Sequence, residues 1–425
     1  MFEKKNRTER FIQFGSGGFL RGFADWMIQR LNDTTDFEGS VVVVQSTATG
    51  QCDKLMAQNG CYTHIIRDEK GSESGIIDVI SRCINAREDP EGYLALAQIP
   101  TMRYVISNTT EAGIVFDPQD KLTDAPPASF PGKVTQLLKR RFDLGLPGFI
   151  FLPCELIDRN GQQLKACILR YAALWGLEES FTDWVARENI FCNTLVDRIN
   201  TGFPADEVLP YRDALTNASE RYHLWVIETE LDLEAELPFQ KAGLNVILTR
   251  DGLQDYHTRK VRILNAAHTA MTPYGLLQGF DSVKSCIDDP AMAGFIRKCI
   301  FKEIIPTLEL PRQELEDYAN SVLARFANPY VKHMLSAISL NSVSKFKVRL
   351  LPSILGYKAR FGTYPAALLF AFRQLLEFYR SGDPKDDPRI IQFIRDHTDQ
   401  EVLACTQLWD ADLSDLYEEL RHAHP

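Results

Sequence analysis

The chain has 425 residues, of which 45% are hydrophobic and 24% are charged, and its formal net charge at pH 7 is −10. This length exceeds what one hydrophobic core ordinarily serves, so the composition predicts a globular protein of two domains. The negative charge argues against nucleic acid as a partner, because phosphate binding needs a basic face, and the lack of a long apolar run argues against a membrane span.

The first part of the chain alternates short apolar strands with helical patterns. Its opening βαβ unit is predicted from a strand, a glycine turn, an amphipathic helix and a second strand, at residues 10–14, 15–18, 19–31 and 40–45. Further elements are predicted as strands at 103–107, 148–153 and 244–248 and as helices at 133–142 and 161–175. This alternation is typical of a doubly wound α/β domain of the Rossmann type.

From about residue 250 onward, helical patterns dominate the sequence. They are predicted at 258–271, 289–301, 312–326, 364–380 and 389–396. The predicted architecture is therefore an N-terminal Rossmann-type domain over residues 1–250, followed by a mostly α-helical domain over residues 251–425.

The cysteines and histidines form no local metal-binding motif. The nine cysteines are irregularly spaced without a Cys-x-x-Cys pair, which predicts reduced and mostly buried thiols. The eight histidines form no His-Glu-x-x-His pattern, so no metal site is predicted. The N-terminus lacks the apolar segment of a secretory signal, and we therefore expect a cytoplasmic protein.

The turn at residues 15–18, Gly-Ser-Gly-Gly, is a partial dinucleotide-binding fingerprint. Its first glycine allows a tight turn, and its second lets the backbone approach a pyrophosphate at a helix N-terminus. The third position of the pattern is Leu20, so a glycine-rich turn without a ligand is the alternative. The strand before the turn and the helix and strand after it favour cofactor binding.

The predicted cofactor-binding residues follow the predicted strands, because doubly wound sheets bind ligands at the carboxyl ends of their strands. The second strand ends at Gln45, whose amide can bond a ribose hydroxyl, but no acidic residue follows it. NAD is the predicted cofactor, and NADP stays open. The predicted set is Gly15, Ser16, Gly17, Gly18, Phe19, Gln45, Ser107, Asn108 and Glu111.

The predicted catalytic residues are Lys260, Asn265 and His268. On an α-helix they lie at roughly 0°, 140° and 80° around the axis and share one sector. Oxidation of an alcohol by hydride transfer needs a base, which a lysine can provide when burial lowers its pKa. An amide can hold the oxygen as negative charge develops. An ordinary polar helix face is the alternative, but the apolar neighbours of these residues predict partial burial.

Together the two motifs resemble the mannitol dehydrogenase family, the polyol-specific long-chain dehydrogenases. The family opening, approximately GxGxFxRxH, matches residues 15–23 except at Phe23, and its pattern KxxxxNxxH matches Lys260, Asn265 and His268. The resemblance implies a nicotinamide-dependent oxidoreductase that works without zinc. It also implies that Lys260 is the general acid/base, that Asn265 stabilises the alkoxide and that His268 binds substrate.

Three further segments resemble the branch of this family that reduces tagaturonate to altronate with NADH. They are residues 107–113, 153–161 and 345–352. The alternatives within the family are fructuronate reduction and mannitol 2-dehydrogenation. The alternative from another class is an NAD(H)-sensing protein without catalysis. The predicted partner is thus a small sugar acid or polyol, and the sequence does not indicate an oligomeric state.

Two departures from the polyol-enzyme pattern favour a uronate over mannitol. Leu156 stands where the polyol enzymes carry a proposed oxyanion asparagine, and Ala337 stands where they carry an arginine. Asn160 is the predicted replacement for the asparagine. A uronate carboxylate needs a cation, and the candidates, which could equally form a basic helix end, are Lys345, Lys347 and Arg349.

Overall fold

The computed structural model describes residues 3–109 and 112–425. The chain divides into two compact units, Met1–Leu253 and Gln254–Pro425. Across the described ranges, no helix combines the length and the apolarity that crossing a membrane requires.

Within its described residues, the first unit contains three β-sheets and the helices that cover them. Its strands are β1 Thr8–Phe14, β2 Gly39–Gln45, β3 Tyr62–Asp68, β4 Gly71–Ile77, β5 Ile80–Asn85, β6 Tyr104–Ser107, β7 Ile150–Pro153, β8 Ile190–Phe191, β9 Asn193–Asp197, β10 Asn200–Gly202, β11 Asn217–Ser219, β12 Leu224–Glu228 and β13 Val246–Thr249. Its helices are α1 Gly18–Gly22, α2 Ala24–Thr34, α3 Cys52–Ala57, α4 Pro90–Ala95, α5 Phe130–Asp143, α6 Asn160–Leu174, α7 Glu179–Glu188 and α8 Leu233–Glu236.

The main sheet has the strand order β5-β2-β1-β6-β7-β8, and every neighbouring pair is parallel. Counted within this sheet, the order is 3-2-1-4-5-6, which is that of a Rossmann dinucleotide-binding domain. The order reverses between β1 and β6, so their carboxyl ends form the switch point at which such sheets bind ligands. The predicted doubly wound fold is confirmed.

The four valines of β2 show how one strand serves two apolar cores. Val41, Val42, Val43 and Val44 are all fully buried. Val41 and Val43 belong to one core with α2, whereas Val42 and Val44 belong to a second core with α5. Because side chains of a strand alternate between its faces, a continuous apolar run lets the sheet carry helices on both sides.

The smaller sheets were mostly absent from the sequence prediction. β3 and β4 form an antiparallel hairpin between β2 and β5, and this hairpin continues through β11 to β10. β9, β12 and β13 form the third sheet, of which only β13 was predicted. β4 is exposed along most of its length and therefore lacks the apolar alternation that indicates a strand.

Cys52 and Cys83 form a disulfide that joins the first residue of α3 to β5. The expectation that all nine cysteines are reduced is therefore wrong for this pair. Their Cα atoms lie 5.4 Å apart although 31 positions separate them in the chain. The remaining seven cysteines are free thiols. Spacing in the sequence could not pair these two residues, because only the fold places α3 beside β5.

The second unit is built from helices, which confirms the predicted helical C-terminal part. They are α9 Leu253–Arg259, α10 Ala266–Leu277, α11 Val283–Asp288, α12 Pro290–Lys298, α13 Arg312–Phe326, α14 Leu335–Ile338, α15 Ser342–Arg349, α16 Leu351–Phe361, α17 Ala366–Ser381, α18 Pro388–Asp396, α19 Asp399–Ala404, α20 Thr406–Trp409 and α21 Tyr417–His422. Two π-helical segments, Lys260–Asn265 and Cys299–Ile304, continue α9 and α12.

Helix α10 is largely enclosed by the rest of the second unit. Nine of its 12 residues are buried, and it packs against α17, whose inward face is also apolar. Because α10 continues directly from the π-helical segment Lys260–Asn265, this packing holds the segment that carries the predicted catalytic residues.

Candidate active site

The glycine turn lies at the switch point of the main sheet. Gly15 follows β1 directly and has a φ of 124°, a conformation that side chains other than glycine rarely adopt. A β-carbon at Gly15 would also lie 3.2 Å from the backbone oxygen of Asn108, which follows β6. Both observations require glycine at this position, where the turn after β1 lies against the end of β6.

The N-terminus of α1 is open at this turn. Gly17 is the N-cap residue of α1, and no side chain among the described residues caps the helix there. A β-carbon at Gly17 would meet no atom within 4 Å. The first N–H groups of a helix have no partner within the helix, so the turn offers donors and space for an anionic group such as a pyrophosphate.

The predicted helix at 19–31 is two helices. Phe23 has φ −122° and ψ −78°, outside the helical region, and separates α1 from α2. Phe19, predicted to contact the cofactor, stacks on Phe23 with ring centroids 5.1 Å apart. The apolar periodicity correctly predicted which residues of this stretch are buried. It could not predict the break at Phe23, because the buried face continues across the break.

Ser16 and Gln45 hold the loop that follows β2. The Ser16 hydroxyl oxygen accepts a hydrogen bond from the backbone N–H of Gln51 at 3.1 Å. The side-chain oxygen of Gln45 accepts one from the backbone N–H of Cys52 at 3.2 Å. Both side chains are buried. The structure therefore shows these two residues shaping the loop, and their contact with a cofactor stays a prediction.

A buried carboxylate braces the ends of β6 and β7. Glu155 accepts hydrogen bonds from the Ser107 hydroxyl at 3.0 Å and from the backbone N–H and hydroxyl of Thr109, both at 2.9 Å. Asn108 Nδ2 donates to the backbone oxygen of Cys154 at 2.8 Å. Burial raises the pKa of Glu155, and its hydrogen bonds oppose that shift. The predicted residue Glu111 lies outside the described residues.

Asn160 has a structural role in the first unit. It is fully buried at the start of α6. Its Nδ2 donates to the backbone oxygens of Pro153, Glu155 and Thr194, each at 3.1 Å. Its Oδ1 accepts from the backbone N–H groups of Gly161 and Thr194 at 2.9 Å. These bonds engage the whole amide and fix the backbone at the ends of β7 and β9, and a contact of Asn160 with substrate stays a prediction.

Lys260 and Asn265 are the first and last residues of a π-helical segment, whereas the sequence analysis placed them on an α-helix. A π-helix pairs residue i with residue i+5 and therefore has more residues per turn than an α-helix. Residues five apart lie nearly above one another, which brings Asn265 closer to the face of Lys260 than the roughly 140° expected for an α-helix. Such segments are rare and often lie at functional sites.

His268 lies on α10, three residues after the π-helical segment ends. It is buried, and its ring centroid lies 4.5 Å from that of Phe326 and 4.7 Å from that of His333. Burial lowers the pKa of His333. These two rings pack against the His268 imidazole and fix its plane. Unlike the buried His268, Lys260 and Asn265 are partly exposed.

A chain of hydrogen bonds joins Arg349 to the π-helical segment. Arg349 Nη1 donates to the Thr269 hydroxyl at 3.2 Å, and that hydroxyl donates to the backbone oxygen of Asn265 at 2.9 Å. Within the described part of the chain, Arg349 has no carboxylate partner. Burial lowers the pKa of Arg349. Thr269 was not predicted, although a threonine four residues after Asn265 is placed to bond its carbonyl.

The other two candidate cations are engaged differently. Lys345 Nζ donates to the backbone oxygen of Ile338 at 2.8 Å, and burial, followed by the charge of Arg349, lowers the pKa of Lys345. Lys347 Nζ pairs with Asp410 at 2.9 Å. Of the three predicted cations, Arg349 is thus the one that bonds α10 and lacks a counter-ion among the described residues.

Arg262 anchors the other side of the π-helical segment. Its Nε and Nη2 donate to the Ser353 hydroxyl of α16 at 2.8 and 2.5 Å, and Nη2 also donates to the Thr307 hydroxyl at 3.2 Å. Burial lowers the pKa of Arg262 to about 10. No carboxylate among the described residues pairs with it. Arg262 could not be predicted, because no motif marks a residue that acts through hydroxyl groups distant in the chain.

The described residues contain no group of three or more His, Cys, Asp or Glu side chains that could hold a metal ion. The predicted groups of the candidate site are a lysine, an amide, an imidazole and a guanidinium on or beside one helix.

Most of the chain matches two domain models of one protein family. Residues 9–241 match the mannitol dehydrogenase Rossmann domain, and residues 252–422 match the mannitol dehydrogenase C-terminal domain.

Two curated relatives named altronate oxidoreductase are similar to the chain over most of its length. The protein from Bacillus subtilis (strain 168) is 45% identical over 433 residues, which cover 96% of this chain and 90% of the relative. The protein from Klebsiella pneumoniae (strain 342) is 45% identical over 387 residues, which cover 88% of this chain and 80% of the relative.

Two solved structures share the fold. A substrate-free D-sorbitol dehydrogenase aligns with a TM-score of 0.85 at 23% identity, over 98% of this chain and 92% of that chain. A Pseudomonas fluorescens mannitol 2-dehydrogenase in a ternary complex with NAD and D-mannitol aligns with a TM-score of 0.73 at 22% identity, over 98% and 90%. The predicted resemblance is confirmed: the chain belongs to the mannitol dehydrogenase family.

Proposed function

We propose that this protein is an NAD(H)-dependent oxidoreductase that interconverts tagaturonate and altronate. The observation that carries the proposal is the placement of Lys260, Asn265 and His268 along one helix that begins with a π-helical segment. The 45% identity to proteins named altronate oxidoreductase supports the choice of substrate.

Lys260 is the proposed general acid/base. In the reduction of tagaturonate, its ammonium group donates a proton to the carbonyl oxygen as that oxygen becomes a hydroxyl. In the oxidation of altronate, the neutral amine accepts the hydroxyl proton. A bound nicotinamide ring supplies or accepts the hydride. Partial exposure of Lys260 leaves its side chain able to reach a substrate.

Asn265 and His268 orient the reacting oxygen and its neighbour. The side-chain amide of Asn265 donates a hydrogen bond to the oxygen as negative charge develops on it. No described residue is hydrogen-bonded to that amide, so it is available to a substrate. His268, held between Phe326 and His333, binds a neighbouring hydroxyl of the sugar chain.

The glycine turn fits the pyrophosphate of a dinucleotide. The uncapped N-terminus of α1 and the space beside Gly17 support this assignment. Residues 46–51, which follow β2, contain no lysine or arginine. Because a 2′-phosphate is usually bound by a cation at this place, the loop favours NAD over NADP.

Arg349 is the proposed partner of the substrate carboxylate. Its guanidinium bonds the hydroxyl of Thr269 beside His268 and has no counter-ion among the described residues. A planar guanidinium matches a carboxylate in shape and charge. A uronate therefore suits this position better than an uncharged polyol.

The test combines a substrate panel with the variant Lys260→Ala. We expect the wild-type protein to oxidise NADH in the presence of tagaturonate. Lys260→Ala should lower kcat by about 100-fold to 10,000-fold, the usual contribution of a general acid/base. Its Kd for NADH, measured by fluorescence titration, should not change. The matched control is Lys284→Ala, which removes a partly exposed lysine of α11 that pairs with Asp288.

Two results would contradict the proposal. Reduction of fructose without reduction of tagaturonate or fructuronate would exclude a uronate as the substrate. Failure of every keto-sugar tested to support NADH oxidation would exclude the enzyme and favour an NAD(H)-binding protein without catalysis.

A further inference from the structure

Beneath the glycine turn, a polar cluster lies within the apolar core of the first unit. Gln13 of β1, Asp25 of α2 and Tyr62 of β3 are all fully buried. Gln13 Nε2 and the Tyr62 hydroxyl each lie 3.4 Å from Asp25 Oδ2. The Tyr62 hydroxyl also lies 2.7 Å from the backbone oxygen of Arg21. The cluster thus joins the strand before the turn to the helices after it.

Gln13 connects this cluster to the turn itself. Its Nε2 donates to the backbone oxygen of Gly15 at 3.1 Å. The C=O and N–H of a trans peptide group point in opposite directions. Because Gln13 holds the Gly15 oxygen towards the core, the N–H of Ser16 points away from the core. The same bond fixes the residue whose φ of 124° makes the turn.

Two oxygen atoms in the cluster need a proton donor. Asp25 Oδ1 and Gln13 Oε1 are both buried, and no described residue is hydrogen-bonded to either of them. Burial raises the pKa of Asp25 to about 7, against the effects of the Gln13 hydrogen bond and the Arg21 charge. Protonation removes the negative charge from a buried carboxyl group, one of whose oxygens has no hydrogen-bond donor among the described residues, so the neutral acid suits this cluster.

We propose that Asp25 and Gln13 are positioning residues for the dinucleotide, and that the neutral form of Asp25 supports cofactor binding. This inference rests on the proposed NAD(H)-dependent function. When Asp25 ionises, its carboxylate attracts the Gln13 amide N–H more strongly than the neutral backbone oxygen of Gly15 does. Ionisation also places a negative charge beneath the turn that receives the phosphates. Both effects weaken dinucleotide binding as the pH rises.

The charged and titratable groups around Asp25 are Arg21 of α1 and Tyr62 of β3. Arg21 of α1 favours the ionised carboxylate, and the Tyr62 hydroxyl of β3 lies 3.4 Å from Asp25 Oδ2. Burial raises the pKa of Tyr62 well above its usual value, and the charges of Asp25 and Asp213 add to this shift. Tyr62 therefore stays protonated near neutral pH.

The remaining elements against α2 add no group that titrates near pH 7. β2 contains no titratable side chain, and Glu73 of β4 is exposed. His64 of β3 stays neutral because burial lowers its pKa well below the usual value. Asp25 is thus the group of this cluster whose charge changes in the neutral range.

The test measures the Kd of the full-length protein for NADH by fluorescence titration between pH 6 and 8.5. We expect the wild-type Kd to rise by about fivefold over this range, the scale of one added charge near the phosphates. Asp25→Asn is neutral at every pH, so its Kd should stay near the low-pH wild-type value. Asp33→Asn, an exposed change on the same helix, should keep the wild-type pH dependence.

The variant Gln13→Leu distinguishes the positioning effect of the Gln13 amide from the effect of the Asp25 charge. It removes the amide that holds the Gly15 oxygen and should raise the Kd for NADH at every pH, with thermal unfolding measured in parallel. Equal pH dependence in wild type and Asp25→Asn would overturn the inference while leaving the proposed function intact. Absence of NADH binding by the wild type would overturn both. If Asp25→Asn fails to fold, unchanged NADH affinity in folded Gln13→Leu would overturn it.

Discussion

Arg349 is the side chain on which the proposed substrate class depends most. It lies beside α10, bonded to the Thr269 hydroxyl, without a carboxylate partner among the described residues. Burying a cation without a counter-ion costs free energy. A substrate carboxylate would offset that cost on binding, whereas an uncharged polyol would not.

Arg349→Met keeps most of the side-chain length and removes the charge. We expect kcat/KM for tagaturonate to fall by about 10-fold to 100-fold, which corresponds to losing a hydrogen bond to a charged group. Most of the loss should appear in KM, measured by steady-state kinetics. Lys347→Met on the same helix is the control, since Lys347 pairs with Asp410. Equal losses in both variants would argue against a specific carboxylate contact.

Sequence motifs identified candidate site residues but did not identify the side chains and backbone groups to which those residues are hydrogen-bonded. The spacing of Lys260, Asn265 and His268 selected them as candidates when taken together with the glycine turn, because both patterns are local properties of the sequence. Asn160 was selected instead as the replacement for an asparagine of the polyol-enzyme pattern, and its amide bonds backbone groups of β7 and β9. Thr269 and Arg262 had no motif, because their roles depend on side chains about 45 to 90 positions away.

At the scale of elements, the π-helical segment is the main difference from the sequence prediction. A helix over 258–271 was correctly expected from its apolar periodicity, but periodicity over a few residues does not separate α from π geometry. The segment is held by contacts from other elements: Arg262 bonds Ser353 and Thr307, and Arg349 bonds the hydroxyl of Thr269 just after the segment. Tertiary contacts of this kind are not written in the local sequence.

Arg262→Met should disturb the helix without touching the substrate. We expect kcat to fall by about 10-fold to 100-fold, because a displacement of about 1 Å at a catalytic group can cost this much. The KM for NADH should change little. Steady-state kinetics and thermal unfolding measure the two effects. The control is Arg312→Met, an exposed arginine of α13 paired with Glu316. A lower melting temperature with unchanged kcat would reduce Arg262 to a purely structural residue.

For the whole molecule, chain length and the order of the predicted elements indicated the number of domains and the type of the main sheet. Length predicted two domains, and the alternation of strands and helices predicted the parallel sheet whose order is now seen to be 3-2-1-4-5-6. The β3–β4 hairpin was missed because β4 is exposed. The Cys52–Cys83 pairing was missed because it depends on the crossover from β2 to β5.

The disulfide should stabilise the first unit measurably. Closing a loop of about 30 residues lowers the entropy of the unfolded chain and stabilises by about 3–4 kcal/mol. Reduction should therefore lower the denaturant midpoint, followed by tryptophan fluorescence, since four of the five tryptophans lie at or before residue 225. Cys52→Ser combined with Cys83→Ser should match the reduced protein and no longer respond to reductant. An identical midpoint with and without reductant would contradict this expectation.

The position of this disulfide has a practical consequence for enzymology. The backbone N–H of Cys52 bonds Gln45, and that of the preceding residue, Gln51, bonds Ser16 in the glycine turn. Preparations made with and without a thiol reagent are therefore two covalent species that differ beside the proposed cofactor site. Kinetic constants from the two belong to different molecules, and the mass difference of two hydrogens identifies which one was assayed.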